Sequence, residues 1–174
     1  MPPPAPQPAC RIGHGYDLHR LEPKPPSGQG RPFILAGVAF PDHPMGPVSH
    51  SDGDSVYHAV TDAILGALGL PDIGQLFPDD DPRHESADSS VFVREAASRM
   101  AVCGYVIGNV DVTVICETPK ISPHKDRMIA NLSRLLECDR TRINLKGKTH
   151  EKVDAVGEGR AVEVHSVVLL VRKS

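Results

Sequence analysis

The sequence predicts an α+β fold of two layers, a mixed β-sheet with helices packed on one face. Three observations carry this. Stretches that alternate with period two are interspersed with stretches of helical period, in the order two strands, helix, helix, strand, helix, strand, strand. The chain has 174 residues with 40% hydrophobic content, enough for one well-buried domain and short for two. The run Val167 to Val171 is apolar on both faces, so the last strand needs cover on both sides: helices on one, another subunit on the other.

Each element has its own warrant. Residues 1–10 form a Pro-rich tail that joins neither ladder nor helix and is expected to be disordered, leaving 11–174 as a single domain. Arg11 to His19 reads as a strand that places Asp17 and His19, two apart, on one side. Leu21 to Arg31 is a Pro/Gly/Lys-rich loop, Pro32 to Phe40 a second strand completing a hairpin with the first, and Pro41 to Pro47 a loop. A helix starts near Gly53, capped by Asp52 or Asp54, buries Ala59, Ile64, Leu65 and Leu68, and stops at Gly69 and Pro71. Asp72 to Asp79 follows as a polar loop. The next helix runs from Asp88 or Ser89 to Cys103 with Val91, Phe92, Ala96, Ala97 and Met100 inward. Tyr105 to Cys116 alternates as a strand with Val106, Val110, Val112, Val114 and Cys116 on one face. Ser122 as cap and Pro123 in the first turn open a helix with the stripe Met128, Ile129, Leu132, Leu135 and Leu136. Arg142 to Lys146 is a short strand, Lys148 to Gly159 polar with room for one helical turn, and Ala161 to Val171 the final strand.

Composition excludes several function classes. A net charge of −3 with no Lys/Arg block argues against a general nucleic-acid surface, while allowing a local cationic pocket for phosphate. No apolar run approaches the roughly 18 residues of a membrane span, and the first nine residues have neither a signal core nor the make-up of an intact transit peptide. Four widely spaced cysteines suggest neither a thiolate metal site nor a disulfide framework, which suits a reducing compartment. Gly13-His14-Gly15 sits inside a strand and does not continue as a dinucleotide fingerprint.

Two sets of residues carry chemistry. Asp17, His19 and His58 form a carboxylate and two-imidazole set of the kind that binds catalytic zinc and leaves a fourth position open; manganese or iron fits as well. The same residues also read as Asp17 paired with Arg20 or Arg11 beside two surface histidines. Glu151, among lysines in Lys146-Gly-Lys-Thr-His-Glu-Lys152, suits a hard cation held with a diphosphate, and equally a solvated charged loop.

The blocks Gly13-His-Gly-Tyr-Asp-Leu-His19, His50-Ser-Asp-Gly-Asp54, Asp72-Ile-Gly, Phe77-Pro-Asp79, Gly108-Asn-Val-Asp111 and Pro119-Lys120 resemble the 2-C-methyl-D-erythritol 2,4-cyclodiphosphate synthase family from Arg11 to the C-terminus. The resemblance implies conversion of 4-diphosphocytidyl-2-C-methyl-D-erythritol 2-phosphate into a cyclic diphosphate and CMP, in the non-mevalonate route to isoprenoids. It implies a homotrimer with sheets packed together and active sites between neighbours, in a bacterial cytoplasm or a plastid stroma. Carried over by position, Asp17, His19 and His58 hold Zn²⁺ or another divalent metal such as Mn²⁺, and Glu151 holds Mg²⁺ or Mn²⁺ with the substrate diphosphate. Asp72, Ile73, Gly74, Phe77 and Asp79 match residues around the methylerythritol, and His50 and Ser51 those near its phosphate. Cys116, Pro119, Lys120, Ile121 and Ser122 match the cytidine pocket, and Lys148 and Thr149 the diphosphate contacts. Two departures stand out. Lys148-Thr-His-Glu resembles plant plastid members more than many bacterial ones, and Ala155 and Glu158 replace the Phe and Arg that those bacterial members place in the trimer channel, which argues against an isoprenoid diphosphate there. The same metal set would also serve a zinc-dependent phosphohydrolase, with water in the open position, or a non-catalytic nucleotide-binding trimer.

Overall fold

The computed structural model describes residues 7–78, 81 and 85–173. In chain order the elements are β1 (Cys10–Pro23), β2 (Ile34–Leu35), β3 (Val38–Ala39), β4 (Met45–Pro47), α1 (Ser55–Leu68), α2 (Ile73–Leu76), α3 (Ser90–Val102), β5 (Tyr105–Ile115), α4 (Lys125–Leu136), β6 (Ile143–Lys148), α5 (Asp154–Gly157) and β7 (Ala161–Arg172). Five strands make one sheet in the order β4-β1-β7-β5-β6, antiparallel except for the parallel β5–β6 pair. The expected mixed sheet is therefore present. α1 lies on β1 and β7, α3 on β5 and α4 on β6, all on one face. The other face of the described chain is open and exposes Ile12, Tyr16, Leu18 and Val167, at 72%, 49%, 48% and 45%.

α1 forms where its cap signals say. Asp54 accepts from Val56 N and Tyr57 N, and Gly69 ends the helix in the left-handed region at φ 70°. It also lies very close to the sheet. A methyl group at Gly13 or Gly15 would stand 1.8 Å from Ala63 O or Ala59 O, so the helix backbone rests directly on β1.

The structure corrects the sequence reading at several points. Cys10, assigned to the tail, begins β1, and the preceding residues are tied down by Tyr105 Oη donating to Pro8 O at 2.8 Å and Arg172 N to Ala9 O at 2.9 Å. β1 runs on through Leu21–Pro23, and its hairpin with Pro32–Phe40 does not form. β2 and β3 pair with each other instead, through a tight turn at Ala36 and Gly37, φ 48° and 69°, whose N–H groups are claimed by the Asp54 carboxylate. That anchoring leaves β1's edge to β4, inside the expected Pro41–Pro47 loop, with Leu21 opposite Pro47. Helical phase turns Val91 out, at 44% exposure, and Val93 in. On β5 a bulge between Ile107 and Asn109 shifts the alternation, so Tyr105 and Ile107 are buried before it and Val110, Val112 and Val114 after it, while Val106 faces the other side. Ser122 caps nothing; a 3-10 turn, Ser122–His124, leads into α4, whose buried residues are the five of the expected stripe. The Asp72–Asp79 loop holds the short helix α2, with Asp72 as its cap.

Candidate active site

β1 and α1 bring the first set of residues together. Asp17 and His19 point from β1 toward the helix layer, and His58 stands one turn into α1, facing them because the glycine contact brings the helix so near. One ligand atom from each of Asp17, His19 and His58 lies within 4.8 Å of the others. Asp17 Oδ2 is 2.7 Å from His19 Nδ1 and 3.5 Å from His58 Nδ1, yet it is buried without an aligned hydrogen bond.

The neighbours explain which lone pairs converge. Ser89 Oγ donates to Asp52 Oδ1 at 2.5 Å, so at 2.9 Å it accepts from His58 Nε2–H. Neutral His58 then turns a bare Nδ1 lone pair toward the Asp17 carboxylate. Two electron-rich atoms so placed need a positive charge between them, either a proton or a metal ion. Ser51 Oγ lies 3.1 Å from the same Nε2, and Ser55 Oγ lies 3.2 Å from His19 Nδ1. Electrostatics agree. Burial alone would raise the Asp17 pKa, but the two imidazoles outweigh it and hold it at about 2. Burial would lower that of His58, but contact with Asp17 outweighs burial and raises it. The donor set, one carboxylate and two imidazoles around an orphaned buried oxygen, fits a divalent metal.

This set opens into a cavity of about 360 Å³ lined also by His50, Ser51, Ile73, Gly74 and Phe77. Asp62 positions that wall, accepting from Ile73 N at 2.8 Å, and Phe77 packs on Phe92 with ring centroids 4.6 Å apart. Asp72 is outside the lining, its carboxylate taken by Gln75 N at 2.8 Å and Gln75 Nε2 at 2.7 Å. Asp79 lies outside the described residues.

The remaining candidates gather elsewhere. Ile121, Ser122 and Lys148 line a second hollow of about 280 Å³ with Lys125, Leu145, Lys146 and Gly147. Cys116 is buried beside it, its thiol donating to Pro119 O at 3.5 Å and its pKa pushed by burial up to about 12, while Lys120 is exposed on the same loop. Thr149 Oγ1 donates to Glu151 Oε1 at 3.0 Å on an exposed turn. The chain does not bring Glu151 to Asp17. Leu18, Glu163, Ile115 and Lys148 lie opposite one another across β1, β7, β5 and β6, so three strand spacings, about 14 Å, separate the two sets at one end of the sheet.

Sequence reasoning missed Ser89, Asp52 and Ser55 as supports of the imidazoles, and Lys125 and Lys146 in the second hollow. The general need of a ligating histidine for a partner on its other nitrogen is a signal that points to such residues. It also left out Arg160, whose Nε donates to Glu158 Oε2 at 2.8 Å, so the carboxylate in question carries its own counter-ion.

Fold and site together define a class, α+β proteins in which a carboxylate and two imidazoles able to hold a divalent metal stand at the wall of a cavity. The chain belongs to the YgbB family, whose model matches residues 10–171. It is 56% identical over 163 residues to a chloroplastic 2-C-methyl-D-erythritol 2,4-cyclodiphosphate synthase of Arabidopsis thaliana, across 94% of this chain and 68% of that one. A synthase of the same description from Proteus mirabilis is 49% identical over 164 residues, 94% of this chain and 98% of its own. Among solved structures, the CDP complex of IspF from Plasmodium falciparum superposes with a TM-score of 0.83 at 40% identity, covering 97% of this chain and all of that one, 100%.

Proposed function

We propose that the chain converts 4-diphosphocytidyl-2-C-methyl-D-erythritol 2-phosphate into 2-C-methyl-D-erythritol 2,4-cyclodiphosphate and CMP, as a metal-dependent phosphorus–oxygen lyase of isoprenoid synthesis. The observation that carries the reading is the Asp17–His19–His58 set at its cavity, in a chain 56% identical to a synthase so named. The reaction makes a bond from the 2-phosphate oxygen to the β-phosphorus and breaks the bridge to the α-phosphate, and CMP leaves with the electron pair. Zn²⁺ or Mn²⁺ held by Asp17, His19 and His58, and Mg²⁺ or Mn²⁺ held by Glu151, would supply phosphate orientation and charge neutralisation.

The side chains do the rest by position. His50 and Ser51 hold the attacking phosphate, and Ile73, Gly74 and Phe77 wall the methylerythritol; Asp72 and Asp79, matched to its hydroxyls by the family resemblance alone, accept them, Asp72 with the lone pairs that its bonds to Gln75 leave over. The loop Cys116, Pro119, Lys120, Ile121 and Ser122 receives the cytidine, while Lys148 and Thr149 meet the diphosphate and offset charge developing on the leaving group. No protein nucleophile is needed. Because about 14 Å separates the two sets within one chain, each site is completed by a neighbour, in a homotrimer that also covers Ile12, Tyr16, Leu18 and Val167. Among the described residues no helix is long and apolar enough to cross a membrane. The activity belongs in a bacterial cytoplasm or a plastid stroma, and the chloroplastic relative of Arabidopsis thaliana supports the second.

Phosphorus NMR of the purified protein with the 2-phosphorylated substrate, Zn²⁺ and Mg²⁺ tests the reading. The expected products are CMP and the cyclic diphosphate with little linear phosphate, since an internal nucleophile held in line acts at an effective molarity on the order of 10⁵ M. CMP with linear products alone would replace the cyclase by a hydrolase.

A further inference from the structure

The β2–β3 hairpin and the segment after it touch both α1, which carries His58, and α4, which carries Lys125 of the second hollow. On the metal side, Asp54 at the start of α1 accepts from Ala36 N at 2.8 Å and Gly37 N at 2.7 Å. On the other side, Asn131 Nδ2 of α4 donates to Ala36 O at 2.8 Å, and the Phe40 and His124 rings meet edge-on with centroids 4.8 Å apart. His43, just past the hairpin, reaches furthest.

The His43 ring is fixed from two directions, against Phe33 with centroids 4.9 Å apart and by Nδ1 lying 2.9 Å from Met45 O. Nδ1 can donate to the Met45 carbonyl at 2.9 Å or accept from Met45 N at 3.3 Å, so either tautomer of the ring is held in place. At 2.9 Å from Nε2 lies Thr118 Oγ1. A hydroxyl donates to a bare Nε2 and accepts from an Nε2–H, so the bond holds in either tautomer.

Thr118 is exposed and stands immediately before Pro119 and Lys120. From within, the loop is pinned by Cys116 Sγ on Pro119 O at 3.5 Å and by Cys116 N on Lys148 O at 3.1 Å. His43 pins it from outside. A loop fixed on both flanks before its ligand arrives has less freedom to lose on binding.

We propose that His43 is a positioning residue for nucleotide recognition, which through Thr118 holds the loop from Cys116 to Ser122 in the form that receives cytidine. The inference rests on the assignment of that loop to cytidine in the preceding subsection. The His43 contacts are with Phe33, Phe40, Met45 and Thr118 and with no member of the metal set, so its contribution belongs to nucleotide affinity and not to the chemical step.

The test is calorimetry of CDP binding to the full-length protein with Zn²⁺ and Mg²⁺, alongside steady-state kinetics. His43→Ala and Thr118→Val are each expected to weaken CDP binding about fivefold, the factor matching one neutral hydrogen bond. KM should rise by a similar factor with kcat and zinc content unchanged. The double variant should be no weaker than either single one, and His43→Gln, which can return a polar atom near the Nε2 position, should recover most of the loss. Thr118→Val keeps the test open if His43→Ala fails to fold, because Thr118 is exposed and valine has nearly its shape. Wild-type affinity in both variants, or losses that simply add in the double variant, would overturn the tie. A wild-type protein that binds no CDP would instead remove the functional reading, and this inference with it.

Discussion

The two sets of residues are built in opposite ways. Asp17, His19 and His58 come from within a strand and from the first turn of a helix, are largely buried, and have their orientation set by Ser55, Ser89 and Asp52. Lys148, Thr149 and Glu151 sit at a strand end and on an exposed turn, where Glu151, Lys152 and Asp154 all have positive φ, 51°, 63° and 62°. Non-glycine residues there cost roughly 1–2 kcal/mol each, and bonds within the turn, among them Thr149 to Glu151, His150 to Asp154 and Val156 N to Asp154 Oδ1, answer them. The fold therefore preorganises the metal half by itself. It leaves the half proposed to meet the diphosphate to be completed by what binds.

That contrast can be broken experimentally, most sharply at the metal ligands. His58→Ala should abolish stoichiometric zinc and cut turnover about 10³-fold or more, several kcal/mol of transition-state stabilisation, while sedimentation still reports the wild-type assembly. Zinc retained at one per chain would take His58 out of the site. Glu151→Gln should slow CMP release on the order of 10²-fold and leave zinc content intact, because the two halves are built separately. Loss of zinc in that variant would mean that they are not.

Ser89→Ala should loosen metal binding about 10- to 100-fold in a competition titration with a chelator, the usual cost of removing a partner of a ligating histidine. Unaltered affinity would leave the His58–Ser89–Asp52 chain without a role in the metal half. The last effect concerns acid. Asp17 is held at about 2, below its ordinary 3.8, so in metal-free protein its contribution is complete above pH 4 and is lost as pH falls toward 2. Urea unfolding should register a loss of about 2 kcal/mol across that window, absent in Asp17→Asn. Parallel pH profiles for the two proteins would mean that Asp17 is not held by the imidazoles.

Local patterns were legible in the sequence and tertiary pairings were not. The two-residue spacing of Asp17 and His19, the cap at Asp54 and the α4 stripe all follow from periods that a few neighbouring residues express. Ser89 meets His58 across 31 positions, and no local period announces such a partner. β4 is three residues long and ends in Pro47, so its composition reads as loop although the open edge of β1 makes it a strand. The bulge near Gly108 moved one residue of β5 and with it the face on which Val106 lies. The separation of Glu151 from Asp17 is a matter of strand order, which sequence alone left undetermined.

The contact of α1 with Gly13 and Gly15 reaches beyond packing. Neither glycine has a side chain with which to touch a metal or a substrate, yet one added methyl group would push the helix off the strand and carry His58 away from Asp17 and His19. Random drift under selection for the metal should therefore find these two positions closed, while the exposed Lys152 and Asp154 stay open to replacement. An inventory of ligand-touching residues would miss them, and a mutational scan scored on metal retention would rank them beside the ligands.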